Sequence, residues 1–231
     1  QVIDMDSNEI IANIETGGGV HNTFVTPDGR YAVGGMIGAS EIIAIDTEND
    51  EVKFEMSIPY SQNPFVGGVR PLTFTVNEDG STRSMLVNVG GWHGFWEFDW
   101  ETQELMNKVS PPDGSWERMD QTADGIQSAP SHGVVVLPDQ SQVWHSSRAT
   151  SHIYGYSFPD YDYLGRVYIG NPAWITTTPD SKFLWVGVSG HNETAVVDVE
   201  KQEVIKRFPV GQAPKRIFTA IMPSDWEGEA P

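Results

Sequence analysis

The strongest constraint in this sequence is an internal repeat. The phrase "FVTPDGRYAVGG" (24–35) returns as "VVLPDQSQVWHSS" (135–147) and "TTTPDSKFLWVGV" (176–188), with a looser copy in "FTVNEDGSTRSMLVNV" (74–89). Each copy is an apolar run, a polar turn containing Asp, Gly or Ser, and a second apolar run, which is the pattern of a β-hairpin. A second phrase follows each copy. "EIIAIDTENDEV" (41–52), "GFWEFDWETQEL" (94–105) and "TAVVDVEKQEV" (194–204) all end a strand on Asp and place an aliphatic residue six positions later. The matched pairs are Asp46 with Val52, Asp99 with Leu105 and Asp198 with Val204, and the opening repeats them with Asp4 and Ile10. "IYGYSFPDYDYL" (153–164) carries Ser157 in place of the Asp.

Two hairpins make four strands, and two equivalent residues, Asp139 and Asp180, lie 41 positions apart. Four strands in about 40–45 residues is the size of a β-propeller blade. The sequence therefore predicts an all-β fold, a β-propeller of four-stranded antiparallel blades, as a single domain over 1–222 followed by a C-terminal tail at 223–231. The blade units run 19–66, 67–128, 129–170 and 171–211. Residues 1–18 supply only the outer half of an earlier blade. Residues 212–222, containing "APKRIFTAIM", supply only the innermost strand of a later one. The first residue falls inside a strand, so the expectation is a seven-bladed propeller completed by further polypeptide on the N-terminal side. The second unit is too long, and the excess in "SPPDGSWERMDQTADGIQS" (110–128) reads as a polar surface loop.

Composition narrows the partners. Fourteen basic against 32 acidic residues give a net charge of −18, which makes nucleic acid and anionic membrane surfaces poor partners. No apolar run approaches the roughly 18 residues that a membrane helix needs, so membrane insertion is not expected. The chain has no cysteine, which removes disulfides, thiolate metal sites, a cysteine nucleophile and covalent c-type haem. No nucleophile elbow, zinc-protease motif, P-loop or dinucleotide fingerprint is present.

The repeat phrases resemble the YVTN-type β-propeller repeats of bacterial and archaeal surface and periplasmic proteins. The resemblance is closest to YncE-like propellers related to the d1 domain of cytochrome cd1. It is carried by "GGGVHNTFVTPDGRYAVGG", "GVRPLTFTVNEDGSTR", "WHGFWEFD", "PSHGVVVLPD" and "VGQAPKR", and covers residues 1 to about 221. It implies seven blades and export to the periplasm or cell surface. It implies no activity, since the histidine-dense copper clusters and haem-attaching motifs of enzymes on this scaffold are missing.

In a propeller the innermost strand of each blade starts at one face, and the connection between the second and third strands returns to that face. His21 and His132 occupy the same repeat position at the start of an innermost strand, with Arg70, Ala173 and Lys215 as near-equivalents and Trp174 and Arg216 beside them. His93, His191, Arg148 and His152 fall in second-to-third connections. The expected ligand-binding rim is thus His21, Arg70, His93, His132, Arg148, Trp174, His191 and Arg216, with Trp92 also at the rim. His21 and His132 are the metal-ligand candidates. His145 lies within a second strand and is expected to be packed. The Asp residues at 46, 99 and 198 are turn formers, because a catalytic carboxylate is not repeated once per blade.

The expected role is a binding or interaction module whose channel mouth takes a small anionic ligand, or which binds a protein partner. The alternative class is a metal-dependent, copper-type oxidoreductase or lyase using the same histidines and arginines, with copper or another divalent metal as cofactor. The fixed charge of the arginines disfavours a bare cation and favours a carboxylate or oxyanion.

Overall fold

The computed structural model describes residues 1–58, 68–112, 129–222, 224 and 226, and every regular element among them is a β-strand. Two short strands, β1 (Val2–Ile3) and β2 (Ile10–Ala12), pair with each other. Four antiparallel sheets of four strands follow. The first blade is β3 (Val20–Val25), β4 (Tyr31–Met36), β5 (Glu41–Asp46) and β6 (Val52–Ser57). The second is β7 (Val69–Val76), β8 (Thr82–Val89), β9 (Phe95–Asp99) and β10 (Leu105–Val109). The third is β11 (Ser131–Val136), β12 (Gln142–Ser147), β13 (His152–Ser157) and β14 (Tyr163–Tyr168). The fourth is β15 (Pro172–Thr177), β16 (Phe183–Val188), β17 (Glu193–Asp198) and β18 (Glu203–Pro209). Strands follow chain order within each blade, so each blade is a meander. Most of the long polar segment at 110–128 lies outside the described residues.

The turn chemistry is local and repeats. In Thr26-Pro27-Asp28-Gly29 the Gly29 N–H donates to the Thr26 carbonyl at 2.8 Å, and Gly29 takes a positive φ of 75°. Proline presets the first turn position, and the left-handed residue that follows continues the hairpin through a bulge. Gly80, Gln140 and Ser181 repeat the geometry with φ of 84°, 55° and 61°. The second turn explains the six-residue step. Asp99 Oδ1 accepts the backbone N–H groups of Glu101 at 3.0 Å and Thr102 at 2.8 Å, and Gln103 then turns left-handed with φ 57°. Asp4, Asp46 and Asp198 make the same kind of bond, with left-handed residues at Asn8, Asp50 and Gln202. At Ser157 the hydroxyl accepts the Asp162 N–H at 3.0 Å instead.

Strand alternation sends neighbouring side chains to opposite faces, so each central blade buries both. From β8, Met85 and Val87 join Val33, Ile42 and Ala44 in the core between the first two blades. Leu86 faces the other way, into a core with Val134, Val143, Tyr154 and Tyr156 of the third blade. Trp144, Ile153 and Val167 then meet Ile175, Leu184, Val186 and Val197 of the fourth. The first strands β3, β7, β11 and β15 lie innermost: β7 packs against β3 and β11, and β11 against β15. The outer strands β6, β10, β14 and β18 are largely exposed.

The second strand of each blade faces the first strand of the next. Gly35 of β4 meets Val69 of β7, and Ser146 Oγ of β12 donates to the Ala173 carbonyl of β15 at 2.5 Å. The segment 213–222 repeats this contact: Ser189 Oγ donates to the Pro214 carbonyl at 2.7 Å, and Thr219 Oγ1 to the Thr177 carbonyl at 2.7 Å. It occupies the place of an innermost strand, and no regular strand is formed over it. An innermost strand forms its ladder with the second strand of its own blade, and no such strand follows it among the described residues.

Candidate functional site

The innermost strands all depart from regular pairing at one level. Val20 and Asn22 pair with Met36 and Gly35, which leaves His21 as an extra residue in β3. Ser131 and Gly133 pair with Ser147 and Ser146, which leaves His132 extra in β11. The shift falls between Val69 and Leu72 in β7, at Arg70 and Pro71, and between Pro172 and Ile175 in β15, at Ala173 and Trp174. A β-bulge bends the strand and re-aims the side chain it carries. Here a bulge in each blade turns a polar or aromatic group toward the others.

His21 and His132 meet edge to face with ring centroids 5.9 Å apart. Asn22 Nδ2 donates to His21 Nδ1, which places the proton of the neutral imidazole on Nε2. His132 is 7 % exposed, and its Nδ1 is buried with no hydrogen-bond partner among the described residues. Burial lowers the His21 pKa to about 4, helped by the positive charges of Arg70, Arg216 and Lys215. Burial likewise lowers His132 to about 3, with Arg148, Arg70 and His21 adding to the effect. Arg70 is itself lowered by burial and by Arg148, and Arg148 by burial. Arg216 Nη2 donates to the His21 carbonyl at 3.3 Å. The two imidazoles are therefore neutral N–H donors at pH 7, held in a field of fixed positive charge.

Below this cluster lies an aromatic channel. Trp174, 3 % exposed, meets the His132 ring at 5.9 Å and stacks on Phe24 at 6.0 Å. Phe218 packs against both. A recess of about 310 Å³ at the mouth is lined by His21, Asn22, Arg216 and Phe218. A cavity of about 400 Å³ continues along the channel between Phe24, Phe74, Val134 and Trp174, and shares Thr23 and Phe218 with the recess. A larger cavity of about 540 Å³ lies between β1 and the first blade and shares Val20 and Thr23 with the recess.

The structure thus brings together His21, Arg70, His132, Arg148, Trp174 and Arg216. It does not bring in His93, which is fully buried between the second and third blades, where its Nε2 bonds Ser147 Oγ at 2.7 Å. The turn before β9 folds inward because the Gly94 N–H donates to Ser131 Oγ at 2.8 Å, carrying His93 into the core. His191 stands apart as well, half-exposed beside Glu193 at 3.5 Å, and Glu193 also pairs with Arg207. His152 bonds the Thr150 carbonyl through Nδ1 at 2.5 Å, and Trp92 Nε1 donates to the Val109 carbonyl at 3.2 Å. His145 is fully buried, stacked on Tyr154 and Tyr156. Phe24, Phe74 and Phe218 were not among the expected site residues, since an aromatic in an innermost strand reads as packing until the channel is seen.

A divalent metal fits this donor set poorly. Among the described residues no three His, Cys, Asp or Glu side chains come together in a way that could hold an ion. His21 Nδ1 is engaged by Asn22, and the surrounding arginines oppose a cation.

Four meander blades packed around inner strands that converge on one channel define an all-β propeller. The sequence matches no protein-family model and no curated protein. Among solved structures the chain is similar to a functionally unknown protein from Desulfotomaculum acetoxidans DSM 771, with TM-score 0.68 and 14% identity over 92% of this chain and 63% of that one. It is similar to the Cps50 (Swd1) β-propeller domain from Myceliophteria thermophila, with TM-score 0.64 and 13% identity over 88% and 59%. A third likeness is to a putative 6-phosphogluconolactonase from Bacteroides uniformis ATCC 8492, with TM-score 0.61 and 17% identity over 84% and 56%. The chain spans about three-fifths of the length of these structures, and at such identities the likeness concerns the fold.

Proposed function

We propose that this chain belongs to an exported, YVTN-type and YncE-like propeller that acts as a binding module, holding a small carboxylate or oxyanion at its channel mouth. The observation that carries the reading is the meeting of the neutral His21 and His132 rings, with Arg70, Arg148, Arg216 and Lys215 as the charged groups bearing on them. Such a cluster is self-repelling when empty and is relieved by a bound anion, which neutral imidazole N–H groups and guanidinium forks can both receive. The overall charge of −18 gives the remaining surface the opposite sign, so a basic mouth on an acidic protein selects locally. The metal-dependent reading gains no support from the donor set, and no step is assigned to a metal.

The test is calorimetric titration with acetate and inorganic phosphate at pH 7, on the protein and on the His21→Ala/His132→Ala double variant. Loss of two hydrogen bonds to a charged ligand predicts roughly tenfold or greater weakening per imidazole, with the thermal midpoint nearly unchanged. A double variant that loses several degrees of stability, with no anion bound by the native protein, identifies the histidines as structural and removes the reading.

A further inference from the structure

We infer that the ligand is an aryl carboxylate: a small molecule whose anionic end sits among His21, Asn22 and Arg216 and whose flat apolar body enters the channel beside Phe24, Trp174 and Phe218. The inference rests on the mouth being an anion site and adds the chemistry of the other end.

Three observations carry it. The mouth recess of about 310 Å³ and the channel cavity of about 400 Å³ are neighbours that share two wall residues, Thr23 and Phe218. Together they fall within the size of small-molecule sites, which are mostly apolar with a few placed polar groups. The polarity changes abruptly along the axis, and it changes along β3 itself: His21 and Asn22 line the mouth, while Phe24 and Val25 line the channel. Below the mouth the walls are Phe24, Phe74, Trp174 and Phe218 with Leu72, Val134 and Ile175, and among the described residues no charged side chain borders that cavity. A simple oxyanion fills only the mouth and leaves this apolar space unused. An apolar molecule without an acid group leaves the cationic mouth unneutralised.

The aromatic walls select for a ring. Phe24 and Trp174 stand nearly parallel, 15° apart, and Phe218 leans on both at 63 % exposure, at the boundary between recess and cavity. A planar body offers such walls offset-stacked and edge contacts, which a flexible alkyl chain cannot make. His132 backs both parts, with its ring 5.9 Å from Trp174 of the channel and 5.9 Å from His21 of the mouth.

The experiment titrates the protein at pH 7 with acetate, phenylacetate and benzyl alcohol. Phenylacetate is expected to bind roughly tenfold or more tightly than acetate, from the added apolar burial, and benzyl alcohol far more weakly than phenylacetate. Phe218→Ala, at an exposed position, should erase most of the advantage of phenylacetate over acetate. Trp174→Leu should do the same, and Arg148→Gln should weaken both acids together. Equal affinity for acetate and phenylacetate overturns the inference and leaves the anion site standing. An unchanged advantage in Phe218→Ala also overturns it, because the body then lies elsewhere. Benzyl alcohol binding as well as phenylacetate overturns it too, and failure of every acid to bind removes both readings.

Discussion

His145 makes the stability of this protein depend on pH below the ordinary histidine range. The side chain is fully buried, with its ring stacked on Tyr154 at 5.3 Å and on Tyr156 at 5.8 Å. Its Nδ1 lies 3.4 Å from Ser131 Oγ, and its Nε2 has no hydrogen-bond partner among the described residues. Burial, with a smaller contribution from the charge of His93, lowers its pKa from 6.5 to about 3. The folded state therefore refuses a proton that the unfolded chain accepts below pH 6.5. The stability due to the neutral ring is fully present above that value and is lost as pH falls toward 3. At 1.36 kcal/mol per pH unit, acidification from 7.5 to 5 removes about 2 kcal/mol through His145 alone. His132, lowered to about 3, and His21, lowered to about 4, for the same main reason, have the same sign and a similar size. For a chain of this length 1 kcal/mol corresponds to roughly 2–4 °C in midpoint. Replacing His145 with Phe keeps a ring between the tyrosines and removes the titration. Urea unfolding at pH 7.5, 6 and 5 should show a steep loss of stability in the native protein and roughly two-thirds of that slope in His145→Phe. The variant should be less stable than the native protein at pH 7.5 by about 1–2 kcal/mol, because Ser131 loses a partner. Equal slopes in the two proteins would show that the buried ring is not held neutral, and the argument fails.

Two further substitutions test the frame. A Cβ at Gly133 would lie 2.8 Å from the Ala173 carbonyl oxygen and 3.1 Å from the Ile175 nitrogen, both backbone, so Gly133→Ala should wedge β11 from β15 at a cost of about 1–3 kcal/mol in thermal unfolding. It should also weaken anion binding by shifting His132 against Trp174, whereas Gly29→Ala, with open space but φ of 75°, should cost about 1 kcal/mol and leave binding alone. Asp99→Ala removes the acceptor of the Glu101 and Thr102 N–H groups and should cost about 1 kcal/mol at neutral pH by urea unfolding. The hydrogen bond from Thr102 holds that carboxyl below its usual range, so the difference between variant and native protein should persist down through pH 4 and vanish only in stronger acid.

What the sequence by itself determined is whatever is decided within a hairpin. The Pro-Asp-Gly and Asp-plus-six phrases specify their turns because Asp28, Asp46, Asp99 and Asp198 bond backbone groups two or three residues away and a left-handed residue completes the loop. Those interactions need no distant partner, so the strand count per blade and the identity of the innermost strands could be read in advance. The equivalence of His21 and His132 was legible for the same reason. What the tertiary structure alone decided is where each rim candidate points. His93 and His191 sit in comparable connections, yet the Ser131 and Ser147 hydroxyls of the next blade draw the turn of one into the core, while Glu193 holds the other at the surface. The bulges that aim His21, Arg70, His132 and Trp174 inward have no local sequence mark, because they answer the crowding of inner strands around a shared channel. The aromatic lining was likewise hidden: Phe24 and Phe218 lie nearly 200 positions apart, and only blade packing sets their rings 6.3 Å from each other.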